Sequence, residues 1–139
     1  MTTYTFHYQS SAASEEMMLD HLTTVLENHR IPEEAAGRFV LIVSEAFTNA
    51  MVHGNRSDSH KTIKLTICVN DEHLTADIID EGHGGLEQIR NRRPPTLLSE
   101  GGRGVDLMEH YASGVAFTET ADGGLHVSVR VDLKTEKTR

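Results

Sequence analysis

Glu33-Glu34-Ala35-Ala36-Gly37-Arg38-Phe39-Val40-Leu41-Ile42-Val43-Ser44-Glu45-Ala46-Phe47-Thr48-Asn49-Ala50-Met51-Val52-His53 follows Pro32. Proline suits the first turn of a helix, and the acidic pair Glu33 and Glu34 complements the positive end of the helix dipole, so one helix is expected over residues 33–53. Phe39, Val43, Phe47 and Ala50 form an apolar face. Val40, Leu41 and Ile42 extend it nearly all round, while Ala46, Ala50 and Gly54 keep the later turns slim. Such a helix belongs inside a domain. Glu45, Asn49 and His53 are spaced by four and share another face. On a surface helix they would be an ordinary solvated stripe, but on a helix this apolar, Glu and Asn need partners.

Outward from the helix the pattern changes period. Upstream, Tyr4, Phe6 and Tyr8 alternate with Thr3, Thr5 and His7 in an edge or near-edge strand over residues 3–9. Met17, Met18, Leu22, Val25 and Leu26 recur at helical spacing over residues 14–28, with Ser14 and Glu15 or Glu16 placed to cap the start. Downstream, residues 61–70 alternate through Ile63, Leu65, Ile67 and Val69, and residues 72–80 through Leu74, Ala76 and Ile78. Asn70-Asp71 between them reads as a tight hairpin turn. Residues 81–103 lose periodicity and carry five glycines, Pro94-Pro95 and the basic Arg90, Arg92 and Arg93, the signature of a long mobile loop with room for one helical turn. A short helix over 105–111 and strands over 114–119 and 125–133, joined at Asp122-Gly123-Gly124, complete the pattern. Residues 134–139 read as a frayed polar tail. The product is an α+β fold: a two-layer α/β sandwich, its mixed, mostly antiparallel sheet carrying helices on one face.

The whole chain of 139 residues is the size of a single domain, 1–139. With 37% hydrophobic and 24% charged residues it can bury a core without disulfides or metal. No apolar run approaches the roughly 20 residues that cross a bilayer, and residues 1–10 lack a basic start followed by an apolar stretch. A soluble cytoplasmic protein without a membrane partner is expected. The net charge of -8 has the wrong sign for a surface that binds phosphate backbones, which excludes nucleic acid as a partner. Cys68 is the only cysteine, so neither a disulfide framework nor a cysteine metal site is available. The nine histidines are scattered without a metal-binding pair and read as solvated or hydrogen-bonded groups.

Two glycine-bearing stretches add chemistry. Asp80-Glu81-Gly82-His83-Gly84-Gly85 places a carboxylate where an apolar strand meets a glycine turn; alone, it is common turn chemistry. Glu100-Gly101-Gly102-Arg103-Gly104-Val105-Asp106-Leu107-Met108 places glycines before a helix start, where free backbone N–H groups can meet phosphate oxygens. Neither stretch fits GxGxxG or GxxxxGK[ST], so a dinucleotide fold and a P-loop are excluded.

Taken jointly, Glu45 to Gly54, Asp80 to Gly84 and Gly102 to Met108 resemble the N, G1 and G2 boxes of the GHKL ATPases, and the ExxxNAxxHGN wording with its short EGGRG loop is most similar to the bacterial anti-sigma factor serine/threonine kinases. The resemblance covers residues 38–131 and implies a histidine-kinase-type ATPase domain that binds ATP and Mg2+. It implies that Asp80 accepts a hydrogen bond from the adenine amino group, which guanine, with a carbonyl there, cannot offer. Asn49 would supply a neutral oxygen to Mg2+, and Glu45 would be the catalytic general base, or a carboxylate that orients the attacking hydroxyl or a water. Gly82, Gly84, Gly102 and Gly104 would let backbone approach the nucleotide, with Arg103 touching phosphate and Val105 part of the same G2 box. Arg90, Arg92 and Arg93 could add a lid cation or be a solvated basic run; His53 would support the helix end. Gly85 departs from the larger apolar residue often found there and implies a looser lid start.

The implied function is that of a kinase acting as an anti-sigma factor. It would phosphorylate an anti-sigma factor antagonist and sequester a sigma factor or another regulator, as a homodimer whose edge is sought at the Tyr4, Phe6, Tyr8 strand. The alternative is a nucleotide-dependent regulatory binding module with little or no phosphotransfer. A third reading is an interaction domain whose glycine loops are only turns.

Overall fold

The computed structural model describes residues 1–91 and 103–133. In chain order the elements are β1 (Thr2–Gln9), α1 (Ala12–Asn28), α2 (Glu33–Thr48) running into a wider π-helical turn (Asn49–Gly54), β2 (Thr62–Val69), β3 (His73–Ile79), α3 (Gly85–Arg90), α4 (Arg103–Tyr111), β4 (Gly114–Glu119) and β5 (Leu125–Asp132). The strands form one five-stranded sheet ordered β1-β2-β3-β5-β4. Each ladder is antiparallel, with registers such as Tyr4 opposite Ile67, Ile67 opposite Ala76, Ala76 opposite Val129 and Val129 opposite Val115. The expected α+β sandwich is therefore present, and its sheet is antiparallel throughout the described strands.

Alternation explains which face is covered. Ile63, Leu65, Ile67 and Val69 of β2, Leu74, Ala76 and Ile78 of β3, and Val127, Val129 and Val131 of β5 are buried on one side. They share a core with Met18, Leu22, Val25 and Leu26 of α1, Phe39, Ile42, Val43, Ala46 and Phe47 of α2, and Val105 and Met108 of α4. The 22 residues Glu33–Gly54 are long and apolar enough to suit a bilayer by composition alone. Here Phe39, Ile42, Val43, Ala46 and Phe47 serve the core instead.

Several local readings shift. Helix α1 begins two residues earlier than Ser14; Ser11 takes the extended N-cap conformation, and Ser14 is buried inside the first turns with its Oγ 3.3 Å from that of Ser11. The hairpin is centred on Asp71-Glu72: Asn70 and His73 pair, and Asn70 Oδ1 accepts the N–H groups of Glu72 and His73 at 2.7 and 2.9 Å. The loop after β3 does contain its helical turn, α3, while Arg92, Arg93, Pro94, Pro95 and the tail 134–139 lie outside the described residues.

The aromatic row of β1 turns inward rather than to solvent. Tyr8 is buried, with its hydroxyl 2.7 Å from His21 Nδ1; Tyr4 OH lies 2.7 Å from His29 Nε2, and the Phe6 ring stacks on His21 at 4.7 Å. Burial pushes the Tyr8 hydroxyl up to about 12. The row thus fastens β1 to α1, and β1 is one edge of the sheet, with β4 at the other.

Candidate nucleotide site

The end of α2 is where the three sequence motifs meet. One more residue enters the turn after Thr48: the Asn55 N–H donates to the Ala50 carbonyl, five residues back, at 2.8 Å. Turns of this width recur at functional sites, since they re-aim side chains and free carbonyls. The Met51 carbonyl is taken up by the Ser57 N–H at 2.7 Å and by Ser10 Oγ at 3.2 Å. Arg56 and Ser57 have φ of 54° and 57°, so the chain reverses tightly after Asn55.

Asp80 follows β3 directly and is 4% exposed. Its Oδ1 accepts the backbone N–H groups of Gly82 at 2.9 Å and Leu125 at 3.0 Å, which fix the plane of the carboxylate. Burial raises its pKa above the ordinary value, and those two hydrogen bonds, with Lys61 and His83, oppose the shift. Its other oxygen, Oδ2, lies so close to Gly54 that a Cβ there would collide with it. A Cβ on Gly82 would strike the Gly54 carbonyl, and one on Gly124 the Asp80 carbonyl. Gly54, Gly82 and Gly124 therefore let three chain segments close around one carboxylate.

Glu45 reaches the other glycine motif. A Cβ built on Gly104, in the first turn of α4, would lie 2.9 Å from Glu45 Oε1. The α2 helix and the π-helical turn that continues it thus touch both glycine motifs, through Gly54 at Asp80 and Gly82 and through Glu45 at Gly104. Glu45 and Asn49 are both half-buried, and Asn49 begins the π-helical turn. Arg38, two turns earlier on α2, donates from Nε and Nη2 to the Tyr111 carbonyl at 3.0 and 2.8 Å and so holds the far end of α4.

The remaining expected residues divide. Gly84 has φ of 73°, the left-handed region that glycine enters freely, and precedes α3. Arg103 opens α4, Val105 is buried in the core and offers a ligand only its backbone, and Gly102 lies outside the described residues. Arg90 and His53 are exposed. Sequence reasoning missed Gly54, Gly124 and Asn55 as builders of the site. Gly54 and Asn55 stood in the quoted HGN, but the packing of Gly54 on Asp80 and the burial of Asn55 are tertiary facts.

Residues 9–131 match the histidine kinase-like ATPase domain family, and the chain belongs to it. Within that class its relatives include the anti-sigma F factor of Shouchella clausii, 32% identical over 101 residues that make up 69% of this chain and 68% of that protein. The anti-sigma F factor of Geobacillus kaustophilus is 25% identical over 138 residues, 94% of each chain. Among solved structures, the RsbU and RsbW domains of a Mycobacterium tuberculosis protein superpose with a TM-score of 0.71 at 17% identity over 98% of this chain. This chain spans about a third (34%) of that one. The SiaB-SiaC complex of Pseudomonas aeruginosa gives 0.62 at 16% identity over 93% of this chain and 89% of that chain. These two likenesses bear on the fold.

Proposed function

We propose that this chain is an ATP-dependent protein serine/threonine kinase acting as an anti-sigma factor, which phosphorylates an anti-sigma factor antagonist in a cytoplasmic partner-switching system. The observation that carries this reading is the double contact of α2, at Asp80 and Gly82 on one side and at Gly104 on the other. That contact draws the N, G1 and G2 motifs into one site, in a chain whose relatives are named anti-sigma F factors.

In this reading the adenine amino group donates to Asp80, whose Oδ1 is already committed to two amides, so Oδ2 is the oxygen that reads the base. The first turn of α4 has N–H groups without intrahelical partners, and those of Gly104 and Val105 suit phosphate oxygens. Among the described residues no group of three His, Cys, Asp or Glu side chains could hold a metal ion. A hard cation at Asn49 would instead share its coordination with phosphates and water, as Mg2+ does. The neutral amide oxygen of Asn49 fits that ion, which when bound would neutralise phosphate charge. Glu45 accepts the proton of the substrate hydroxyl as its oxygen attacks the γ-phosphorus and the bond to the ADP oxygen breaks. Sequestration of a sigma factor or other regulator and a homodimer belong to the same reading.

The test is Glu45→Gln. It should keep Mg-ATP binding while γ-phosphate transfer to an antagonist domain falls by about a hundredfold or more, the contribution expected of a positioned base. Transfer at the wild-type rate would remove Glu45 from the role of base. Wild-type binding of Mg-ATP with no transfer would replace the kinase by a nucleotide-dependent binding module.

A further inference from the structure

Asn55 is fully buried, and its polar groups are all engaged within one small ring. Its Nδ2 donates to the Thr62 carbonyl at 3.0 Å, and its Oδ1 accepts the Glu81 N–H at 2.7 Å. Its backbone N–H closes the π-helical turn on Ala50, and its carbonyl takes the Asp58 N–H at 3.1 Å. Glu81 completes the ring, its Oε1 accepting the Thr62 N–H at 2.7 Å. One side chain therefore ties the end of α2, the first residue of β2 and the residue that follows Asp80.

Its chain neighbours give this ring a consequence for recognition. Gly54, immediately before Asn55, packs on Asp80 Oδ2, and Gly82, immediately after Glu81, packs on the Gly54 carbonyl. Any shift of Asn55 moves Gly54 relative to Asp80 at the oxygen left to read a base. We infer that Asn55 is a positioning residue for base recognition, holding Gly54 and Asp80 in register and thereby setting the preference for ATP over GTP. This rests on the nucleotide reading above. The residue type is demanding: the ring needs one donor and one acceptor on a short planar amide, which alanine lacks and aspartate supplies only in part.

Calorimetric titration of Mg-ATP and Mg-GTP into wild type, Asn55→Ala, Asn55→Asp, Asp80→Ala and Asn55→Ala/Asp80→Ala, at a temperature where circular dichroism shows each folded, decides it. A purely structural role would lower the melting temperature and leave the ATP-to-GTP ratio of the folded protein alone. The expected result is ATP affinity reduced about tenfold in Asn55→Ala with GTP affinity unchanged, as losing one net hydrogen bond to the base would produce. Asn55→Asp, which keeps the acceptor for Glu81, should fall between. The double variant should bind ATP no more weakly than Asp80→Ala, because the effect passes through that carboxylate. A folded Asn55→Ala with the wild-type ratio, or losses that multiply in the double variant, would overturn the inference. Should the Asn55 variants not fold, hydrogen exchange on wild type decides: the Glu81 and Thr62 amides should gain protection with Mg-ATP and not with Mg-GTP, and unchanged protection rejects it. Wild type that binds neither nucleotide overturns the nucleotide reading itself, and this inference with it.

Discussion

At Asp80, burial and hydrogen bonding pull the same carboxyl in opposite directions, and burial prevails: its pKa stands above 3.8 despite the amides of Leu125 and Gly82. A carboxyl whose pKa is raised by folding stabilises the fold only while protonated; that contribution is complete below the unfolded value and disappears as pH rises through the folded one. Ionising Asp80 as pH rises therefore costs stability, a cost kept for what the carboxylate recognises. Asp80→Asn should melt higher than wild type at pH 7, and the difference should shrink as pH falls through the raised folded value, levelling off below about 4, the unfolded carboxyl value. Its amide would turn Oδ1 to the two backbone N–H groups and an NH2 toward the adenine amino group, so ATP binding should weaken by about 1.5–3 kcal/mol, roughly ten- to a hundredfold. Scanning calorimetry across pH and a nucleotide titration check the two halves; an Asp80→Asn protein less stable than wild type at pH 7 contradicts the burial account. Asp80 was legible because a carboxylate ends an apolar strand just before glycines. Asn55 was not, because nothing local distinguishes a buried amide from a turn amide.

Among the elements, β2, β3 and β5 were readable from period-two alternation, and α2 from its proline start and apolar wrap. The end of α2 was not: whether the chain closes four or five residues back depends on Ser10 and Ser57, which take up the Met51 carbonyl, and Ser10 lies in another part of the sequence. Glycines separate the same way. Gly37 sits mid-helix in α2 with nothing within 4 Å of where a Cβ would stand, so no contact requires it. Gly37→Ala should stabilise by about 0.5–1 kcal/mol through helix propensity and a less flexible unfolded chain, a rise of about 2–4 °C in melting temperature for a chain of this size. Gly82→Ala drives a methyl into the Gly54 carbonyl and should destabilise by about 1–3 kcal/mol, as overpacking does, with loss of nucleotide binding. Thermal melts of the two variants should move in opposite directions. A Gly82→Ala protein as stable as wild type would mean that the Gly54 strap yields easily.

For the molecule as a whole, the sheet has one face packed on helices and two edge strands, β1 and β4, and these bear on assembly. Tyr4, Phe6 and Tyr8 are spent on α1, so a homodimer formed at β1 would pair through backbone and through the outward residues Thr3 and Thr5, not through the aromatic row. Deleting β1 cannot test this, since it would also strip buried Tyr8 from the core. Thr3→Glu with Thr5→Glu leaves the core untouched and sets like charges along any two-fold pairing of the edge, which opposes strand pairing. Each protomer already carries -8, so association should strengthen as ionic strength rises and the mutual repulsion is screened. Light scattering across a salt series should therefore give twice the 15.4 kDa chain mass for wild type, most firmly at high salt, and the single mass for the double-glutamate variant at low salt. Raising salt should partly restore its dimer, because the introduced barrier is electrostatic. A variant that stays dimeric at every ionic strength would place the interface away from β1, leaving the β4 edge, the other face of the sheet and the outer faces of the helices as the surfaces to probe.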